Sequence, residues 1–330
     1  MKLQRLSGLL LLWQGAAGLR IACNQQWIEH TPLDYAAKHF YNNNNNNGGG
    51  DTATLVNGGV FNLLFDPSID LAANAETQGL KAYTNGRSIR LIGIIVEAHY
   101  RLVANRAAGI SELADLRGRR IGTMPGTSAE VFVRRLLEVE AGLSWERNDY
   151  STVTGNTCMC EPCPAGSLPV MLQSGQVDGF GIWETAVELG VRALGGGEGQ
   201  EGGNAVVFQN ASVYREVYSL YSTESKLADP AARARIVEYV RALNQTYEVY
   251  RAAGHDIYAE VGALVGVDTD VLAAVWPHHA WGPGSLGEDL LDYLQAEDQY
   301  LSRVDNRAQF SRADLERFVD ASIYEEALQS

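Results

Sequence analysis

The sequence predicts an α/β protein: mostly parallel sheets covered by helices and divided between two lobes. Short apolar, β-rich runs alternate with segments of helical periodicity over the first two thirds of the 330 residues. That alternation marks a sheet covered by crossover helices. The final third, from Asp229 onward, is dominated by helices, so the chain does not simply add strands to a single sheet. Residues 119–142, RRIGTMPGTSAEVFVRRLLEVEAG, read as strand, tight turn and helix. Pro125 and Gly126 supply the turn, and Thr127 or Ser128 supplies the helix cap with Glu130 in the first turn. Val131, Phe132, Leu136, Val139 and Leu143 recur at helical spacing, which predicts one buried face ending at Gly142.

The remaining elements follow the same logic. Leu19–Cys23 is a strand, and Thr31-Pro32 opens a helix through Leu33, Ala36, Ala37 and Phe40. Residues 42–50, six asparagines and three glycines, cannot bury apolar surface and read as a disordered loop. Residues 52–56 form a strand, 58–65 a short helix, 70–73 a strand, 76–84 a helix and 89–96 a long β-rich run. Arg101–Asn105 is a strand and 110–117 is helical. A strand ends at Val153, before a loop over 154–166. Residues 168–175 are helical, Gly179–Ile182 a strand and 185–194 a helix. The Gly/Glu-rich residues 195–203 read as a mobile loop, and 206–208 and 218–221 are β-like. Asp229-Pro230 caps a long helix running to about Ala253, with Val237, Val240, Leu243 and Tyr247 on its buried face.

Hydrophobic residues make up 46% and charged residues 20% of the chain, the proportions of a globular protein. A net charge of −14 argues against nucleic acid or an anionic membrane as partner. The long apolar run at residues 6–12 is too short to span a bilayer. With Lys2 and Arg5 before it and Gly15-Ala16-Ala17 after it, residues 1–18 read as a signal peptide cut near Ala17 or Gly18; the alternative is a buried N-terminal helix. A secreted, periplasmic or extracellular monomer is therefore expected. Sequons at Asn210 and Asn244 decide little in a chain of this length.

Three stretches carry a family resemblance. ISELADLRGRRIGT with PGTSAEVFVRRLLEVEAGL, then SLPVMLQSGQVDGFGIWET at 167–185, then LRIACNQQWIEHTPLDYAAKHFY at 19–41 resemble, in order and spacing, the sulfonate-, taurine- and nitrate-binding components of ABC importers. That superfamily, with the type II periplasmic-binding-protein fold, also holds the fungal thiamine-pyrimidine synthases. The resemblance covers nearly all of the chain beyond residue 18. It departs in having Trp183-Glu184-Thr185 where the family carries W-E-P, and the synthases' CCCFC run is absent. It implies two α/β lobes joined by two crossovers, placed at 97–101 and 212–218. Residues 19–97 with 218–330 would form one lobe, and 98–217 the other. It also implies a small-molecule ligand between the lobes, a membrane transporter as partner, and no cofactor. The alternative is an enzyme of the synthase type, which would need a reactive side chain such as His30 or His99, or a relative with no transport role.

Ligands in open α/β sheets bind beyond the carboxyl ends of the strands. There the sequence places Gln25, Gln26 and Trp27 after the first strand, and Asn74, Glu76 and Thr77 after the third. Glu97 and Tyr100 fall at the first crossover, Thr127 and Ser128 at the central turn, and Trp183 and Glu184 after the 179–182 strand. Asn24, Gln78 and Asn156 read instead as ordinary turn and capping residues. The two tryptophans beside turns are large apolar groups that need a partner. Glu76, Glu97 and Glu184 make this set acidic, with Arg101 the one basic residue near it. The expected ligand is therefore a small amine-bearing or heteroaromatic molecule, such as a thiamine-type pyrimidine, with an anionic end placed on the Thr127–Ser128 turn. A sulfonate or nitrate is the competing class. No nucleophile elbow, phosphate loop or HExxH motif occurs, and His278-His279, beside Trp276 and Trp281, reads as a solvated turn next to Pro277, with metal binding as the alternative.

Cys158, Cys160 and Cys163 form C-x-C-x-x-C, with Cys23 far off in sequence. This is not a common zinc spacing, and in a secreted chain disulfides are the better default. Cys158–Cys163 or Cys160–Cys163 is the expected bridge, since neighbouring Cys158 and Cys160 would be strained. All four sulfurs are expected near the mouth of the site, with Cys23 and the remaining thiol free to join across the lobes.

Overall fold

The computed structural model describes residues 18–42, 52–197 and 202–329. Residues 1–17 of the proposed signal peptide, the asparagine–glycine tract from residue 43 and part of the Gly/Glu-rich loop lie outside the described residues. No helix within them is long and apolar enough to cross a membrane.

Two sheets organise the fold. The strands are β1 (Leu19–Cys23), β2 (Ala53–Asn57), β3 (Leu71–Ala75), β4 (Ile89–Ala98), β5 (Arg101–Asn105), β6 (Arg120–Thr123), β7 (Ser151–Thr154), β8 (Gly179–Ile182), β9 (Ala205–Phe208), β10 (Glu216–Thr223) and β11 (His279–Trp281). The first sheet has the order β11-β4-β10-β3-β1-β2 and the second β7-β6-β8-β5-β9. The chain leaves the first sheet after Ala98, enters the second at Arg101, and returns between Phe208 and Glu216.

The sheets are mixed, and this refines the expectation of mostly parallel pairing. β1 pairs in parallel with β2 and β3, and β6 in parallel with β7 and β8. The strands at the crossings run the other way: β10 is antiparallel to both β3 and β4, and β5 to both β8 and β9. A strand entered directly from the other lobe arrives at the cleft end of its sheet, so it must run away from the cleft.

The signals read from sequence form their elements locally. Thr127 accepts a hydrogen bond from the Ala129 N–H and caps Ser128–Ala141, and Gly142, at φ 61°, ends that helix in the left-handed region. Asp229 accepts from the Ala232 N–H at 2.7 Å and caps Pro230–Arg251. Four local expectations are corrected. Val139 is 64% exposed, because its helix buries Phe132, Leu136 and Leu137 instead. Residues 110–117 hold only a short 3-10 turn, Leu113–Leu116. The helix from Thr31 continues beyond Tyr35 as a wider π turn over Ala36–Tyr41. His279 is not on a solvated turn: it is buried on β11, whose three residues pair with the cleft end of β4.

Candidate functional site

The carboxyl ends of β1 and β3 face the Thr127–Ser128 turn and Trp183 of the second lobe across a cavity of about 180 Å³. Trp27, Glu29, Asn74, Ala75, Gln78, Glu216 and Tyr218 line it from the first lobe, and Thr127, Ser128 and Trp183 from the second. That volume lies below the usual range for drug-sized ligands and suits a small solute. Trp27 and Trp183 touch across the lobes, with ring centroids 4.8 Å apart at 50°. Gln78 Nε2 and Lys81 Nζ both donate to the Gly126 carbonyl, at 3.2 and 3.0 Å, and tie the central turn to the first lobe.

Five of the residues singled out from sequence meet here: Trp27, Asn74, Thr127, Ser128 and Trp183. Gln78, expected as a capping residue, joins them, which corrects that reading. The others stand elsewhere. Gln25 and Gln26 are exposed on the turn after β1. Thr77 is buried outside the lining, and its Oγ1 has no hydrogen-bond partner among the described residues. Tyr100 is a buried support: its hydroxyl donates to Glu216 Oε1 at 2.7 Å and meets Ser128 Oγ at 3.0 Å, linking the two lobes. Burial, with the Glu216 carboxylate beside it, holds the Tyr100 hydroxyl in its protonated form.

The three carboxylates expected to make the cleft acidic are all engaged away from it. Glu184 takes the Arg101 Nε at 2.5 Å, and Glu188 takes Arg101 Nη2 at 3.3 Å. Glu97 pairs with Arg215 at 2.6 Å. Glu76 accepts from the Tyr214 hydroxyl at 2.9 Å and the Val217 N–H at 2.7 Å, fully buried behind β3. Burial and the nearby Glu297 raise its pKa to about 8.

The acidity of the cavity comes instead from Glu29 and Glu216, which the strand-end rule does not pick out. Glu29 lies on the 3-10 turn Ile28–His30. Glu216 opens β10, and because that strand runs away from the cleft, its amino end rather than its carboxyl end lies beside the site. Tyr218, two residues on, adds a third aromatic wall from the same face. The indole N–H of Trp183 has no hydrogen-bond partner among the described residues, so the lining holds an unused donor as well as acceptors.

The candidate reactive histidines are not in the lining. His30 bonds through Nδ1 to the Trp27 carbonyl, and burial lowers its pKa to about 4. His99, at the first crossing, is likewise lowered by burial.

Cys158 and Cys163 form a disulfide, one of the two expected pairings, while Cys23 and Cys160 are free. The expected clustering of all four sulfurs at the mouth does not hold. Cys23 is buried in the core packed against the first sheet and Cys160 is exposed, so they form no cross-lobe bridge. The last inward residue of a strand packs against the covering helices, which is where the Cys23 side chain goes. No group of three or more His, Cys, Asp or Glu side chains among the described residues is arranged to hold a metal ion.

The family described as NMT1/THI5 like matches residues 57–251. The fold is similar to that of the alkanesulfonate-binding protein SsuA from Xanthomonas axonopodis pv. citri bound to MOPS, at 17% identity and a TM-score of 0.64, covering 92% of this chain and 98% of that one. It is similar to the Candida albicans CA3427 gene product, described as exhibiting the generic periplasmic binding protein fold, at 12% identity and a TM-score of 0.56, covering 92% of this chain and 96% of that one. It is also similar to the desulfurization enzyme DSZB, at 16% identity and a TM-score of 0.60, covering 94% of this chain and 98% of that one. No curated protein matches the chain in sequence.

Proposed function

The chain belongs to the NMT1/THI5-like family, and we propose that it is a secreted, monomeric solute-binding protein whose two lobes close on one small molecule. The observation that carries this reading is the cavity itself. Its walls come from both lobes, and Trp27 and Trp183 meet over it from opposite sides. On this reading residues 19–97 with 218–330 move against 98–217 about the two crossings. The periplasm or the extracellular space is the place of action, and a membrane transporter is the partner that would take the solute.

The ligand is an amine-bearing or heteroaromatic molecule, of the thiamine-type pyrimidine class, rather than a simple sulfonate or nitrate. Two carboxyl groups and three aromatic rings line the cavity, and among the described residues no Lys, Arg or His does. A bare oxyanion would meet the Thr127–Ser128 turn, the Trp183 N–H, the Tyr218 hydroxyl and the side-chain amides of Asn74 and Gln78 as neutral donors, with no cation beside them. A catalytic reading of the synthase type gains no support from the lining, since neither His30 nor His99 belongs to it.

A thermal-shift panel tests the ligand class by comparing aminopyrimidines and aromatic amines with taurine, alkyl sulfonates and nitrate. A ligand at a hundredfold excess over its Kd adds about 2.7 kcal/mol of stability. Stabilisation by taurine or nitrate alone would reject the amine class. Small-angle scattering tests the clamp: the radius of gyration should fall on binding. An unchanged radius with a molecule that demonstrably binds would reject closure.

A further inference from the structure

Glu29 is 1% exposed and lines the cavity, yet neither of its carboxylate oxygens has a hydrogen-bond partner among the described protein atoms. His279 Nε2 stands 3.9 Å from Oε1, too far for a hydrogen bond. Glu216, 4% exposed, lines the same cavity and accepts from Tyr100 at 2.7 Å and from Ser128 at 3.4 Å. A buried acceptor without a donor is costly, and a buried carboxylate more so. The Glu29 carboxyl therefore lacks a donor among the described protein atoms. Trp27, Trp183 and Tyr218 complete the lining with aromatic faces, which favour a flat or cationic group.

Two carboxyl groups facing one small buried space, with no cation between them, cannot both carry their charge at little cost. The groups around Glu216 are known from each side. Glu29 shares the cavity, with His279 beyond it on β11; Glu76 lies behind; Tyr100 comes from the first crossing; Glu97 and Arg215 are already paired with each other. Burial first, then the Glu29 and Glu76 carboxylates, pushes the Glu216 carboxyl well above its usual range.

We infer that Glu29 and Glu216 form a seat for the amine or amidinium group of a flat cation, and that filling the seat expels one proton from the pair into solvent. The bond broken is the carboxyl O–H of Glu216. The proton leaves to buffer, the cation keeps its charge, and nothing is oxidised or reduced. The inference rests on the ligand-binding reading above and adds to it the residues that read the charge and a proton balance.

Three flat probes of nearly equal shape separate the possibilities: benzamidine, a cation; benzamide, neutral; and benzoate, an anion. Titration calorimetry of the full chain in two buffers of different ionisation heat reads binding and proton release together. Benzamidine should bind at least tenfold more tightly than benzamide, benzoate should not bind, and about one proton should leave per benzamidine bound at neutral pH. Its affinity should rise with pH, approaching about tenfold per pH unit. Glu29→Gln should weaken benzamidine by about tenfold or more, and Glu216→Gln should remove most of the proton release. Both variants replace a buried acid by a neutral amide, and melting temperatures at or above that of the parent would show that they fold. Equal binding of benzamide and benzamidine, binding without proton release, or proton release unchanged in Glu216→Gln would overturn the inference. If none of the probes binds while another solute closes the lobes, the cation seat falls and the clamp stands; if no solute ever closes the lobes, the underlying reading falls with it.

Discussion

Arg135 and Glu297 join the two lobes outside the cavity, with Nη1 of the arginine 2.5 Å from Oε2 of a completely buried glutamate. Arg135 lies on Ser128–Ala141, the helix that follows β6 of the second sheet, and Glu297 on Glu288–Val304 of the C-terminal segment. Burial raises the Glu297 carboxyl to about 7, so above that pH, where it is ionised, removing one member of the buried pair leaves the other uncompensated, at a cost of roughly 3–5 kcal/mol. Because Arg135 keeps partial contact with solvent, Arg135→Ala should fall at the low end of that range in urea unfolding. Adding Glu297→Gln should restore much of the loss. An additive double mutant would mean that the two groups do not act as a pair.

A second prediction concerns pH. Burial raises Glu297 to about 7 and, aided by the Glu297 charge, raises Glu76 to about 8. Both groups hold their protons in the fold at pH values where the unfolded chain has already released them. The unfolded state then binds fewer protons, so stability is greatest below the ordinary carboxyl pKa and falls as pH rises through about 7 to 8. The loss is on the order of a few kcal/mol over that window. Melting curves from pH 5 to 9 should show it, and Glu76→Gln should flatten the slope. A flat profile in the parent protein would contradict the assignment.

The cysteines give a prediction about reactivity. Cys160 is exposed, whereas burial pushes the Cys23 thiol up to about 12. A thiol reagent near pH 8 should label one cysteine in the native protein, two after unfolding and all four after unfolding with reduction. Closing the short loop between Cys158 and Cys163 is worth roughly 2 kcal/mol in the chain-entropy account, so Cys163→Ser should lower the melting temperature by a few degrees. Native labelling at Cys23 would show that the first-lobe core opens.

Glu184 supplies the fourth prediction. Its carboxylate takes the Arg101 Nε and accepts the Glu188 N–H at 3.1 Å, within the first turn of Ala186–Ala193. Glu184→Gln should therefore act on stability, costing about 2–3 kcal/mol, since it leaves the buried Arg101 with only Glu188 as a charged partner. Trp183→Ala, one residue earlier, should instead act mainly on ligand affinity. Equal loss of binding in both variants, with no loss of stability in Glu184→Gln, would place the Glu184 carboxylate in the cavity after all.

The sequence made the lobes and half of the cavity legible for one physical reason. Strand–turn–helix units announce themselves locally, through the apolar run of β1, the Pro125-Gly126 turn and the Thr127 cap. Trp27, Asn74, Thr127, Ser128 and Trp183 all follow a parallel strand, so one rule finds them. Glu216 escapes that rule because the direction of β10 depends on a partner more than a hundred residues away, which no local pattern records. Glu97 and Glu184 lie at strand ends yet do not line the cavity, for a related reason. Their partners, Arg215 and Arg101, are distant in sequence, and pairing decides whether a carboxylate presents charge to a ligand.

The place of β10 in the sheet also sets an order of assembly. It lies between β3 and β4, and those two strands do not touch without it. During synthesis β1, β2 and β3 can join as soon as they emerge, but β4 waits for residues 216–223 before it can enter the same sheet. The second sheet, by contrast, draws all its strands from 101–208, which leave the ribosome before β10 does. The interior segment can thus reach its final form while the half that begins the chain still exposes an open strand edge, which is when such a nascent chain is most prone to stick to others.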